Sequence, residues 1–313
     1  MPTVQKSKPL TRRNLLVSAV VLAGCSNSAQ RVARPTSSIG PSASEFETPT
    51  VATATPPSTA ASTTTTPQAV TVTRPRTPAA TVVLVHGAWH DKSTWDDVMS
   101  LLVELDVPAR RLTLPSTNPD ATRPGLAEDA AAVTALIEDV AGPAVLLGHS
   151  YGGMVINAAG LHPRVAHLVF LAAFCPDEGQ TVVDLAVGKS PPLTAQATRV
   201  DADGTMSIDP ALAVETFYGD VDPVAARRYA EKLQTSTAQV FLTPAGSPAW
   251  RVKPTTYVVC TQDRAISVDR QDEMAERATA DVRRWDTSHS PFHSRPDLVA
   301  QLIRECAEKA ANQ

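Results

Sequence analysis

From Ala79 onward, short apolar runs alternate with segments whose apolar positions recur at helical spacing. "TVVLVHG" predicts a buried strand, "STWDDVMSLLVEL" a helix with Ser93 as its N-cap, "ARRLTLP" a strand, "LAEDAAAVTALIEDV" a helix and "PAVLLGH" a further strand. "YGGMVINAAG" continues as a helix and "VAHLVFLAA" as a strand. Strand and helix in alternation predict βαβ units and an α/β fold around a mostly parallel sheet. From about Cys175 to Trp250 the rhythm breaks. "SPPLTAQATRVDADG" carries turn chemistry, and "PALAVETFYG" and "DPVAARRYAEKL" predict short helices with no strand between them, so this region is an insertion forming a lid. The strands "TTYVVC" and "DVRRWD" then resume around the helix "SVDRQDEMAERA", and "RPDLVAQLIRECAEKAA" closes the chain as an amphipathic helix.

Upstream the pattern is different. Lys6, Lys8, Arg12 and Arg13 precede an apolar run from Leu15 to Ala23, and no acidic residue occurs before Glu45. This predicts an export signal over residues 1–24, because the apolar run is much shorter than the ~20 residues of a membrane-spanning helix. "TRRNLL" resembles the twin-arginine export signal, and "LAGC" resembles the bacterial lipobox. The resemblance implies that Cys25 is lipidated and anchors the exported protein to the outer face of the bacterial cytoplasmic membrane. Residues 25–78 are rich in Ser, Thr, Ala and Pro, contain no leucine, and have Phe46 as their one aromatic residue. Such a segment buries too little apolar surface to offset its ordering entropy, so it reads as a disordered tether. Residues 79–313 remain as the folded domain, with the cap inserted at about 175–250.

Composition narrows the picture. The chain has 313 residues, 43% of them hydrophobic, enough for a substantial core. Its formal net charge of −4, with lysine and arginine scattered, offers no basic face for nucleic acid. Cys175, Cys260 and Cys306 form an odd set and are expected as free, buried thiols.

Candidate chemistry centres on "GHSYG", a match to G-x-S-x-G set between a predicted strand and a predicted helix. There Ser150 would project its hydroxyl above the sheet beside the helix N-terminus. A hydroxyl attacks only when a base takes its proton, and the base needs a carboxylate to fix its tautomer. Asp263 in "CTQDRAI" and His289 in "TSHSPF" follow later strands in the required order, at the edge of the sheet where ligands gather. Asp177 in "FCPDEG" is an alternative acid and His293 an alternative base. His86 and His149 fit packing or support of the oxyanion loop, and His90, His162 and His167 fit surface or satisfied polar positions. The oxyanion of a tetrahedral intermediate needs at least two donors, for which the amides of Tyr151 and Ala88 are the candidates. Trp89, Phe217, Tyr218, Phe241, Trp250 and Phe292 fit either an apolar pocket under the cap or plain core.

"LVHGAWH", "LLGHSYGGM", "VVCTQDRAI" and "DTSHSPF", in this order, resemble the α/β-hydrolase superfamily, in the branch of methyl-salicylate-type esterases, hydroxynitrile lyases and their bacterial esterase relatives. The resemblance implies an eight-stranded, mostly parallel sheet with helices on both faces, a helical cap, no metal and no organic cofactor. It also implies Ser150, Asp263 and His289 as catalytic residues and Ala88 and Tyr151 as oxyanion donors. The lyases carry a threonine where Gly87 stands and a lysine where Ser290 stands, which favours hydrolysis of small to medium carboxylic esters. The competing readings are a lyase or lactonase on the same scaffold, and a surface ligand-binding protein without turnover.

Overall fold

The computed structural model describes residues 80–186, 192–278 and 280–313; the expected export signal and tether lie outside them. The central sheet has six strands, all parallel: β1 (Thr81–Val85), β2 (Ala109–Arg111), β3 (Ala144–His149), β4 (Val165–Leu171), β8 (Thr255–Cys260) and β9 (Asp281–Trp285). They lie in the order β2-β1-β3-β4-β8-β9. The inner strands are mostly apolar because both their faces are covered, and the buried His167 of β4 is paired with Thr256 Oγ1 at 2.9 Å. Val83, Val85, Leu146, Phe170, Tyr257 and Val259 point into a core beneath helices α2 (Leu126–Glu138), α3 (Gly152–Ala159) and α9 (Val268–Arg277). Their neighbours Val82, Leu84, Val145, Leu147, Val169 and Val258 point to the other face, where α1 (Asp96–Glu104) and α11 (Pro296–Ala311) pack.

Three expectations are corrected. The sheet counts six strands among the described residues, where the resemblance implied eight. Its two outer described strands carry charge: β2 is three residues long and contributes Arg110 and Arg111, while β9 presents Asp281, Arg283 and Arg284. The predicted N-cap Ser93 does not cap α1. Asp91 accepts from the Ser93 amide at 2.7 Å and opens a 3-10 turn, Lys92–Trp95, which runs directly into the helix.

The cap, finally, is not purely helical. The helices α4 (Val182–Ala186), α5 (Thr194–Ala197), α6 (Pro210–Phe217), α7 (Pro223–Glu231) and α8 (Gln239–Leu242) enclose an antiparallel sheet of β5 (Thr198–Val200), β6 (Thr205–Ile208) and β7 (Ser236–Thr237). Its hairpin closes where Asp201 donates to the Thr205 carbonyl at 2.8 Å and Gly204 turns at φ +84°. A short loop ending in a left-handed glycine is a favoured hairpin connection, so "DADG" between "TRV" and "TMSI" held the signal for a strand pair. All these cap elements lie between β4 and β8, and α6 and α7 follow one another with no strand between them, each capped by an aspartate, Asp209 and Asp222. Cys175, Cys260 and Cys306 are free and buried, as expected.

Candidate active site

The chain turns sharply between β3 and α3, and Ser150 occupies that turn at φ +53°, a left-handed backbone that a non-glycine residue adopts only under constraint. The constraint is visible in the bonding. The Ser150 carbonyl accepts from Gly153 at 3.0 Å and from Phe174, beyond the end of β4, at 3.1 Å. Helix α3 also lies very close to β1: a Cβ on Gly152 would meet the Val85 carbonyl oxygen at 2.6 Å, so only glycine fits.

Asp263 and His289, in the loops after β8 and β9, are joined at 2.7 Å between Oδ2 and Nδ1, and both are buried. Asp263 is held by more than its partner. Its Oδ1 accepts from the amides of Ala265 at 2.7 Å and Ile266 at 3.0 Å, and its Oδ2 also accepts from Gln271 Nε2 at 2.7 Å. A carboxylate held in this way accepts a hydrogen bond from Nδ1–H, which keeps that proton on Nδ1 and leaves the lone pair of His289 on Nε2. That Nε2 is buried with no hydrogen-bond partner. The structure therefore joins acid to base and does not close the bond from base to serine, a bond that in hydrolases commonly tightens only with substrate bound. His149, next to the serine, donates from Nε2 to the His289 carbonyl at 2.9 Å, with ring centroids 4.5 Å apart, which seats the base loop over the serine turn.

Neither alternative assignment enters this constellation. Asp177 pairs with Arg251 at 2.7 Å. His293, in the short helix α10 (Pro291–Ser294), bonds Thr94 Oγ1 at 3.2 Å and stacks on Tyr229 at 3.6 Å.

The loop after β1 lies against the serine. A Cβ on Gly87 would stand 2.8 Å from the Ser150 Cβ, so the backbone there approaches as no other residue would allow. His86 fixes this loop: its Nε2 accepts from the Leu114 amide at 3.0 Å, so Nδ1 carries the proton and donates to the Gly87 carbonyl at 2.8 Å. That carbonyl belongs to the same peptide unit as the Ala88 N–H. Among the described residues neither the Ala88 nor the Tyr151 amide donates to a protein acceptor.

Two supporting residues were missed in the sequence, and both carried a readable sign. Asp129 sits in the apolar stripe of α2 with Leu126, Val133 and Ile137, and a buried acid in such a stripe requires partners. It accepts from the Tyr151 hydroxyl at 2.8 Å and the Ser116 amide at 2.9 Å, while burial pushes its carboxyl above the usual range. Gln271 lies beside Met274 and Ala275 on the buried face of α9, with its Oε1 accepting from the Cys260 amide at 3.0 Å.

Of the candidate aromatic residues, Trp89, Phe217 and Phe241 pack together, and Phe217 lies 5.6 Å from the His289 ring. Trp250 instead bonds the Pro176 carbonyl at 2.7 Å beneath Arg251, and Phe292 packs on Trp95 in the opposite core.

Burial depresses five histidines: His86 and His167 to about 4, His90 and His293 to about 3, and His149 well below its ordinary value. In the unfolded chain each titrates near 6.5. Below that value the unfolded state binds more protons, so stability is complete above about pH 6.5 and is lost progressively toward pH 4. Urea midpoints at pH 7.5 and pH 5 should differ by several tenths of a molar or more, with the lower one at pH 5. Equal midpoints would contradict the buried, neutral state of these rings.

The same fold occurs in known proteins. Residues 82–302 match the alpha/beta hydrolase family model. An alpha/beta hydrolase of Aspergillus novofumigatus is 28% identical over 246 residues, 73% of this chain and 97% of that protein. Methylesterase 1 of Arabidopsis thaliana is 23% identical over 253 residues, 72% of this chain and 95% of that protein. The crystal structure of a pyrethroid hydrolase from Sphingobium faniae superposes with a TM-score of 0.67 at 23% identity, covering 75% of this chain and 99% of that one. The parallel sheet, the serine turn between β3 and α3 and these matches lead to one assignment: the chain belongs to the α/β-hydrolase family and is a hydrolase of its esterase branch.

Proposed function

We propose that this hydrolase cleaves small to medium carboxylic esters through Ser150, His289 and Asp263 by way of an acyl-enzyme. The observation that carries the reading is the buried Asp263–His289 pair, with its free Nε2 in the loop seated over a serine at φ +53°. His289 takes the Ser150 proton at Nε2 as Oγ attacks the ester carbonyl carbon. The negative oxygen of the tetrahedral intermediate receives hydrogen bonds from the Ala88 and Tyr151 amides. Collapse breaks the bond to the alcohol oxygen, which leaves with the proton from His289. Water then gives a proton to Nε2 and attacks the acyl-enzyme, and the second collapse returns that proton to Ser150 and frees the acid.

Hydrolysis rather than carbon–carbon cleavage is supported by two positions. Gly87 has no room for the threonine of the lyases, and Ser290 stands where they carry a lysine. Purified protein incubated with p-nitrophenyl acetate, butyrate and octanoate should release nitrophenol with saturation kinetics and a preference for the shorter chains. No turnover of any of the three by a folded protein would contradict the reading.

A further inference from the structure

The turn that follows α6 in the cap, Phe217–Asp220, reaches both catalytic loops. On one side Ser288, immediately before the base, donates from Oγ to the Phe217 carbonyl at 3.2 Å and to the Asp220 carboxylate. On the other, the Tyr218 hydroxyl lies 3.0 Å from His90 Nε2, and His90 Nδ1 lies 2.9 Å from the Ala88 carbonyl. A carbonyl only accepts, so Nδ1 carries the proton. The neutral ring then accepts at Nε2, and Tyr218 is the donor. Both side chains are buried, and burial holds the His90 pKa down to about 3, so this assignment persists across the working pH range.

The segment that His90 grips is strained. Gly87–His90 is a four-residue turn closed by the His90 amide on the Gly87 carbonyl at 3.3 Å, with Trp89 at φ +63° in its third position. That is the pattern of a type II turn, whose third position normally takes glycine. A residue as bulky as tryptophan favours the type I alternative, reached by flipping the Ala88–Trp89 peptide. The Ala88 carbonyl belongs to that peptide, and among the described residues its bond from the His90 ring is the side-chain contact that opposes the flip.

We propose that Tyr218 and His90 form a latch through which the seated cap sets the oxyanion loop: Tyr218 fixes the tautomer of His90, and His90 holds the Gly87–His90 turn in its strained form, so that the turn, whose first peptide carries the Ala88 N–H, keeps its place beside Ser150. The proposal rests on the assignment of Ala88 as an oxyanion donor. His90 and Tyr218 are positioning residues, acting through Ala88 and not on substrate.

The test compares Tyr218→Phe, His90→Asn and the double variant, using p-nitrophenyl butyrate for turnover and an alkyl trifluoromethyl ketone as a tetrahedral-adduct inhibitor. Tyr218→Phe should lower kcat by about 10-fold, a fraction of the loss from removing an oxyanion donor, with KM within about twofold. Ketone affinity should fall by the same factor as kcat/KM, because both report the oxyanion. His90→Asn retains an N–H near the position of Nδ1 without a tautomer to fix, so it should keep most of kcat and make Tyr218→Phe silent in its background. Thermal midpoints confirm that each variant is folded. The latch is overturned if Tyr218→Phe leaves kcat unchanged, if its loss falls on KM alone, or if it lowers kcat equally in the His90→Asn background. Those results, with turnover still dependent on Ser150, would leave the esterase reading standing; turnover that survives Ser150→Ala would remove that reading itself.

Discussion

Ser150→Ala is expected to lower kcat for p-nitrophenyl butyrate by about 10⁴-fold or more, the scale on which nucleophile removal acts in triad hydrolases. The expectation follows from the positions of the groups around it. In the proposed mechanism the Asp263–His289 pair acts through Oγ, and the Ala88 and Tyr151 amides act on the oxyanion that forms when Oγ attacks. What survives in the variant is binding and the oxyanion donors, worth a small remainder over water. The change deletes a single oxygen from a partly accessible side chain, so the thermal midpoint should stay within a few degrees. Steady-state kinetics and circular dichroism on the same preparation check both halves. A variant within tenfold of the parent would remove Ser150 from the mechanism.

The second large effect is Asp263→Asn, expected to lower kcat by about 10⁴-fold with the fold intact. Asparagine keeps an oxygen for the Ala265 and Ile266 amides at 2.7 and 3.0 Å, which directs its NH2 group toward His289 Nδ1 and Gln271 Nε2. A donor then faces a donor. Gln271 cannot relieve the clash by turning its amide, because its Oε1 already accepts from the Cys260 amide at 3.0 Å. His289 is left to move its proton to Nε2, where it can no longer accept one from Ser150. The rate of reaction with a fluorophosphonate should fall in parallel with kcat; unchanged labelling would mean that Asp263 does not set the tautomer.

The residues behind both effects stand out in the sequence for a physical reason. Strands covered on both faces are mostly apolar, so β1, β3, β4 and β8 stand out as runs, and the loops at their C-terminal ends carry Gly87, Ser150 and Asp263. The order of the proposed triad, Ser150, Asp263 and His289, follows the order of the loops after β3, β8 and β9. Features that depend on contact between distant segments were harder to read. His90 looked like an ordinary polar residue because its partner, Tyr218, lies 128 positions away in the cap. Two of the three cap strands, β5 and β7, were hidden by their brevity, since two or three residues give no measurable alternation; the four residues of β6 do alternate, with Met206 and Ile208 buried. Asp129 was legible and passed over: an acid among Leu126, Val133 and Ile137 breaks the apolar period of α2, and the Tyr151 hydroxyl accounts for the break.

An activated Ser150 reacts covalently with a fluorophosphonate, and labelling reads that reactivity at the residue itself. The protein is treated with a fluorophosphonate at pH 8, digested and mapped by mass spectrometry, while ester turnover is followed in the same sample. One adduct is expected, on the peptide carrying Ser150, formed in proportion to the activity lost and absent from Ser150→Ala. A folded protein that takes up no label, or takes it on another residue while Ser150 stays free, would contradict the account; the first of these results would favour a ligand-binding protein on a hydrolase scaffold.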